Sequence, residues 1–128
     1  MASNFEILDG LTVTVDAVEY DPSRPAPPDR PHPFVYRISI HNESDQVVNI
    51  FGRKWIVRDV EGDTMVVEGD GVVGQFPKLA PGKHFSYTSY HIIKASSTAT
   101  GSFFGSTSSG KAVAVRIPAF DMEPPMLV

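Results

Sequence analysis

The sequence lacks cysteine and has no long apolar run. Without cysteine, the chain has no disulfide bond, no thiolate nucleophile and no zinc site with sulfur ligands. The longest apolar run, residues 112–115, is far shorter than the ~20 residues of a membrane helix or the ~7 of a signal-peptide core. We therefore expect a soluble, cytoplasmic protein that carries no export signal.

Clustered positive charge is also missing. The 11 lysines and arginines are scattered among 15 acidic residues, and the net charge is −4. Proteins that bind nucleic acid usually carry a basic patch, so we predict no nucleic-acid partner, and the short apolar runs predict no membrane insertion. With 41% hydrophobic and 20% charged residues, the composition is that of a globular protein, and residues 1–128 form one domain.

No segment shows the 3.6-residue period of a helix, whereas a period of two is common. Phe34, Tyr36, Ile38 and Ile40, for example, alternate with more polar residues, which is typical of a half-buried strand. Turn residues separate such runs, and we predict strands at about 11–20, 33–42, 46–51, 53–60, 64–68, 84–93, 98–106 and 111–118. Seven or eight short antiparallel strands predict an all-β, immunoglobulin- or fibronectin type III-like β-sandwich. Trp55 is the expected core residue between its sheets.

Changes in the alternation predict irregular strands. The apolar positions of the first strand change from odd to even at residues 16–17, which predicts a β-bulge there. The same change between Tyr87 and Tyr90 predicts a second bulge or a bend. Pro118 has no N–H group to donate, so we expect it to end the last strand.

The segment 21–33 is rich in proline and is predicted to be a stiff loop. It contains Pro22, Pro25, Pro27, Pro28, Pro31 and Pro33 of the chain's 11 prolines, so it forms neither a helix nor a central strand. Pro25 and Pro28, for example, have the PxxP spacing that SH3-type domains bind. Rigid connectors use such prolines more often, and we interpret the segment as a connector between the first two strands.

Residues 69–74 read G-D-G-V-V-G and formally match G-x-G-x-x-G, within a glycine-rich loop 69–77. A dinucleotide site of this type needs a helix directly after the motif, and the sequence Q-F-P that follows excludes one. A looser hypothesis is that N–H groups of the loop hold phosphate or pyrophosphate as a nest. Its residues would be Gly69, Gly71 and Gly74, with Arg53 or Lys78 as counter-charges. The alternative is a purely structural loop with Val72, Val73 and Phe76 packed under the sandwich.

Other patterns predict no catalytic or metal site. Asp59, Glu61 and Asp63 alternate like the start of a calcium loop, but the later ligands of an EF-hand are absent, which favours an acidic hairpin turn. The four histidines lack metal-ligand spacing, and the odd separation of His84 from His91 predicts opposite faces of one strand. No nucleophile motif is present. We predict a protein that is not an enzyme and needs no cofactor.

Five blocks of the sequence occur in the order and spacing of the ApaG family. They are GRKWIV (52–57), EGDGVVGQFP (68–77), LAPG (79–82), FSYTS (85–89) and VRIPAF (115–120), and the similarity runs from about residue 11 to residue 126. The sequence therefore resembles that family. The chain departs from the family pattern at Tyr90, where the family usually has glycine, and in residues 101–105.

The resemblance implies a fibronectin type III-like β-sandwich that occurs as a stand-alone bacterial protein. It also occurs as a domain in some eukaryotic F-box and polymerase-interacting proteins, which is typical of an interaction module. Bacterial members are associated by name with cobalt resistance and magnesium efflux, and the glycine motif has been proposed to bind pyrophosphate. We predict a non-catalytic module that binds another protein through an exposed sheet edge or the 69–77 loop, with phosphate or pyrophosphate binding as the alternative.

Overall fold

The computed structural model describes residues 4–126, which form eight strands and no helix. The strands are β1 (Leu11–Tyr20), β2 (His32–Asn42), β3 (Val48–Asp59), β4 (Thr64–Asp70), β5 (Lys78–Leu79), β6 (Lys83–Ile93), β7 (Ser97–Thr107) and β8 (Ala112–Met122). Within this range there is accordingly no helix of the length and apolarity that crossing a membrane requires.

The strands form two antiparallel sheets that pack face to face. The smaller sheet has the order β1-β2-β6, and the larger has the order β4-β3-β7-β8, with the short β5 paired to the start of β3 beside β4. Neighbours such as β2 and β6, or β3 and β7, are distant in sequence, which is typical of the Greek-key connections of such sandwiches. The predicted immunoglobulin- or fibronectin type III-like β-sandwich is confirmed.

Trp55 lies at the centre of the core, as the sequence predicts. Its ring contacts Tyr36 (5.2 Å between centroids), His91 (4.7 Å) and Phe120 (5.7 Å). The ring is only 2% exposed, and removing a buried tryptophan side chain typically costs about 3–5 kcal/mol. Apolar residues of both sheets complete the core around it, among them Ile38, Ile40, Val48, Ile50, Phe103 and Val113.

One predicted bulge is present and the other is not. The register between β1 and β2 shifts between Val15 and Ala17, so the first prediction is confirmed. Between β2 and β6 the register is continuous, so the second prediction was wrong. The reason is that His91 takes the inward position while Tyr90 remains outside, and the strand alternates regularly once His91 is counted as a core aromatic.

Two predicted strand ends were also wrong, and both lie at bulges. The predicted strands 46–51 and 53–60 are the single strand β3, which absorbs a register shift between Ile50 and Gly52 in its pairing with β7. Pro118 does not end β8, which continues to Met122 past a shift between Ala99 and Gly101 of its partner β7. A bulge leaves a residue unpaired, and this is where a strand tolerates proline.

The two predicted loops are shorter than expected because strands extend into them. Residues 21–31 lie outside the strands, whereas residues 32–33 of the expected loop 21–33 begin β2. Similarly, residues 69–70 of the expected loop 69–77 end β4, and β5 forms directly after residue 77. The proline-rich loop folds back towards β4 and β6, since Arg30 contacts Met65 and Arg24 stacks on Tyr90.

The two edges of the larger sheet differ. The N-terminal segment covers the start of β8, because the Glu6 N–H donates to the Ala112 carbonyl (2.9 Å) and the Ala114 N–H donates to the Glu6 carbonyl (3.0 Å). Along β4, residues 64–70 pair only with β3 in the part of the chain that the structure describes. The sheet thus has one edge that is covered at its start, at β8, and one open edge, at β4.

Candidate functional site

The glycine-rich motif folds into a tight two-residue turn. The Val72 N–H donates to the Gln75 carbonyl (2.8 Å), and the Gln75 N–H donates back to the Val72 carbonyl (2.9 Å). The two residues between them have positive φ, 46° at Val73 and 77° at Gly74, which is the signature of a type I′ turn. Glycine adopts this conformation freely, whereas a β-branched valine is strained there. Val73 therefore stores strain at the turn.

Gly71 is required where the chain leaves β4 and enters this turn. Its φ is 66°, and a Cβ atom at this position would lie 2.4 Å from the Gln75 carbonyl oxygen. Its N–H donates to the Phe51 carbonyl at 2.7 Å, which attaches the turn to β3. A side chain at residue 71 would collide with backbone that cannot move without opening the turn.

Arg53 holds the base of the turn from the inner side of the sheet. Its Nη1 donates to the Asp70 carbonyl (2.9 Å) and to the Gly71 carbonyl (3.1 Å). The guanidinium also lies directly over Gly69, because a Cβ atom there would be only 2.7 Å from Nη1. Hydrogen bonds from a charged donor are stronger than neutral ones, so this cation binds the turn by its carbonyl groups.

The predicted anion-binding residues are therefore divided between different roles. The structure brings Arg53, Gly69 and Gly71 together as one structural unit, while Gly74 lies at the exposed turn and Lys78 lies in β5 opposite Asn49. The N–H groups of residues 71, 72 and 75 are bonded inside the chain. An anion nest needs several converging N–H groups, and these three are already used.

Apolar side chains are exposed around the turn, against expectation. Val72 is fully buried as predicted, but Val73 is 44% exposed and Phe76 is 64% exposed instead of packing under the sandwich. Phe51, whose carbonyl binds Gly71, is also exposed. A type I′ turn projects its central residues away from the sheet, which explains the exposure of Val73. We call Phe51, Val73 and Phe76 the tip patch.

A second candidate region is a hollow of about 250 Å³ where the edges of β4 and β6 face each other. We call it the inter-sheet hollow. Its lining residues come from β2, β3, β4, β6 and the proline-rich loop: Arg30, Tyr36, Arg53, Trp55, Met65, Val67, Ser89, Tyr90, His91 and Ile92. The floor is aromatic and the charged groups at the rim are two guanidiniums. No carboxylate is among these lining residues.

His91 in this hollow was not identified as a site residue from the sequence, which assigned the histidines no metal-ligand role. It is 6% exposed, and its Nε2 has no hydrogen-bond partner within residues 4–126. Burial lowers the pKa of His91 to about 4, so the ring is neutral near pH 7. Its odd residue number places it on the same face of β6 as Phe85 and Tyr87, and this alternation could have identified it as a buried residue. As predicted, His84 lies on the opposite face of β6, stacked against His41.

The acidic residues of the 59–63 turn behave as a hairpin turn, the interpretation the sequence favoured. The Asp59 carboxylate accepts hydrogen bonds from the N–H groups of Glu61 (2.9 Å) and Asp63 (3.0 Å). Lys94, which directly follows β6, lies among the three carboxylates, in contact with Asp63 and 3.2 Å from Glu61. Hydrogen bonds with Asp63 and Glu61 raise the pKa of Lys94. The cation of this cluster is supplied by the chain itself.

Comparison with known proteins places this geometry in a family. The family model described as the ApaG domain matches residues 22–107. Protein ApaG of Rhodospirillum centenum is 38% identical over 121 residues, 94% of this chain and 92% of that protein. Protein ApaG of Acidithiobacillus ferrooxidans is 37% identical over 105 residues, 79% of this chain and 80% of that protein.

A solved structure of the ApaA protein from Bordetella pertussis is also similar. Its TM-score is 0.82 at 32% sequence identity, covering 96% of this chain and 99% of that one. From its sequence and its fold, the chain belongs to the ApaG family.

Proposed function

We propose that this protein is a non-catalytic interaction module that binds another protein through the 69–77 loop, with the tip patch as the contact. The observation that carries the proposal is the exposure of Val73 and Phe76 on a turn that Arg53 holds rigidly. Apolar side chains grouped on a rigid loop are typical of recognition surfaces.

The backbone strain at Val73 supports the same proposal. Asparagine or glycine would adopt its φ of 46° with less strain. Strained conformations are retained where the surrounding structure enforces them, and they are concentrated at functional positions. A valine in this position keeps an apolar side chain at the outermost point of the loop.

A non-catalytic role is supported by what the polar side chains do. Arg53 binds backbone carbonyls, Lys94 neutralises the acidic turn, and His91 is a buried neutral ring. We further propose that the module acts in the bacterial cytoplasm. The association of the family with cobalt resistance and magnesium efflux would then be exercised through the partner, since Lys94 already provides the cation for the acidic turn.

A photo-crosslinking amino acid at position 76 tests the proposal in living cells of the source organism. The matched control is position 60, which is also highly exposed but lies at the opposite end of the β3–β4 hairpin. We expect one defined crosslinked product from position 76 that position 60 does not give. The absence of a product from position 76, or the same products from both positions, would contradict the proposal.

A further inference from the structure

The open edge of β4 presents backbone groups that no other strand in residues 4–126 uses. The bonds from Gly71 to Phe51 and from Asp59 to Asp63 fix which residues of the hairpin face each other. Because hydrogen-bonded pairs alternate in an antiparallel ladder, residues 65, 67 and 69 direct their N–H and C=O groups towards β3. Residues 66 and 68, which lie between them, direct theirs outwards.

The side chains that flank this edge on the inner face border the inter-sheet hollow. Met65 and Val67 line it directly, and Gly69 follows on the same face under Arg53. A strand added beside β4 would place every second side chain on this face, opposite residues 65, 67 and 69. The side chain opposite Val67 would enter the hollow above Trp55 and His91.

The charges at the rim indicate what the flanking side chains of such a strand would be. Arg30 reaches Met65, where Nη1 contacts the thioether sulfur at 3.6 Å, a weak acceptor. Arg53 uses only Nη1 for its two carbonyl bonds. Outside the lining of the hollow, Arg24 stacks on Tyr90 at 4.2 Å, and its Nε is buried without a hydrogen-bond partner in residues 4–126. None of these guanidiniums forms an ion pair with a carboxylate of residues 4–126.

We propose that β4 binds an extended segment of a partner protein by strand addition, and that this segment carries an acidic, an apolar and an acidic side chain at alternate positions. The first carboxylate replaces the sulfur as the acceptor for Arg30, the apolar side chain fills the hollow, and the second carboxylate meets Arg53. Backbone pairing provides affinity in this mode and the alternate side chains provide specificity. The proposal rests on the proposed function, since it supplies a second contact beside the tip patch.

The test uses a synthetic peptide, acetyl-Thr-Glu-Thr-Phe-Thr-Glu-Thr-amide, titrated into isotopically labelled protein and followed by amide chemical shifts. The control peptide, acetyl-Thr-Thr-Glu-Phe-Glu-Thr-Thr-amide, has the same composition but places Glu and Phe on opposite faces of a strand. We expect the first peptide to perturb residues 64–70 and to bind at least about tenfold more tightly than the control. The proposal is overturned by equal affinities, or by no perturbation of β4 at about 2 mM peptide.

Two pairs of variants identify the groups that bind. Val66→Pro removes an outward N–H group at an edge position that tolerates proline, and Val66→Ala keeps that group while shortening the side chain. We expect roughly tenfold weaker binding for the first and little change for the second. Arg30→Glu should weaken binding of the acidic peptide and favour a peptide with Lys in place of Glu, whereas Arg116→Glu on exposed β8 should do neither. Retention of that preference in Arg30→Glu would overturn the charge assignment without relying on the fold of Val66→Pro.

The peptide titration and the crosslinking at position 76 test different contacts, so their outcomes can be distinguished. A crosslink without peptide binding at β4 keeps the interaction module and removes strand addition. Peptide shifts confined to β6, which borders the same hollow, would also overturn the choice of β4. Binding at β4 without a crosslink from position 76 would keep strand addition and remove the tip patch as a contact.

Discussion

The guanidinium of Arg53 occupies the space in which the side chain of any residue other than glycine at position 69 would begin. Nη1 lies 2.7 Å from that Cβ position, and the same nitrogen binds the carbonyls of Asp70 and Gly71. Arg53 in β3 and Gly69 in β4 thus act together to connect the hairpin to the turn. Their energetic coupling can be measured from the stability of single and double variants.

Gly69→Ala should displace Arg53 and weaken its two hydrogen bonds, at a cost of about 1–2 kcal/mol in the free energy of unfolding. In an Arg53→Ala background the same change should cost less than half as much, because the colliding group is gone. Urea denaturation of the two single variants and the double variant gives the coupling. Additive losses of stability would contradict the conclusion that Gly69 makes room for the Arg53 guanidinium.

Gly71→Ala and Gly74→Ala separate collision from torsional strain. Both glycines have positive φ, 66° and 77°, but only Gly71 has backbone in the place of the new Cβ atom, whereas the space at Gly74 is open. We expect Gly74→Ala to cost about 1 kcal/mol and Gly71→Ala clearly more. Thermal unfolding measured side by side decides the order, and equal losses would contradict the geometry.

Val73→Asn should stabilise the fold by about 0.5–1 kcal/mol, because it creates the Asn-Gly pair that type I′ turns favour and removes the strain at φ 46°. Val73→Ala removes the apolar side chain but keeps most of the strain, so its stability should change little. If the tip patch is a contact, both variants should give less crosslinked product from position 76. A gain in stability with undiminished crosslinking would show that the strained Val73 side chain is not needed to bind the partner.

His91 should make the protein less stable as the pH falls below 7. Burial lowers the pKa of the imidazole to about 4 in the folded protein, so the ring stays neutral down to that pH. In the unfolded chain its pKa has the ordinary value of 6.5. Because the unfolded state binds the extra proton, stability is complete above pH 6.5 and declines towards pH 4, by about 2 kcal/mol between pH 7 and 5. Denaturation curves of His91→Phe over this range should show a shallower decline, and an unchanged pH dependence would assign it to other groups.

Much of the fold could be predicted because a two-residue alternation records which face of a strand is buried. It identified the long strands, the bulge after Val15 and the central position of Trp55. It failed at β6 because histidine counts as polar in such a pattern, although a neutral ring in contact with Tyr36 and Trp55 packs as an aromatic side chain. The two-residue strand β5 is too short to show any alternation.

The candidate site was less predictable because its contacts join distant segments. The motif 69–74 identified the turn, but nothing local indicates that Arg53 points inwards and donates to the carbonyl groups of Asp70 and Gly71. Similarly, Arg30 and Met65 meet only after the two sheets have packed. Sequence patterns report burial and turn chemistry, whereas the direction of a long charged side chain depends on the completed tertiary structure.

The pairing of Glu6 with the first residues of β8 limits how copies of this sheet can add to one another. Edge-to-edge growth of a β-sheet fibre needs two free sheet edges per molecule, because each added copy must offer an edge to the next. Here Glu6 occupies the β8 edge at residues 112–114, and Pro118 has no N–H group to offer farther along it. A second copy can pair along the whole of β4 but not with the first residues of β8, so repeated edge-to-edge addition through this sheet is disfavoured.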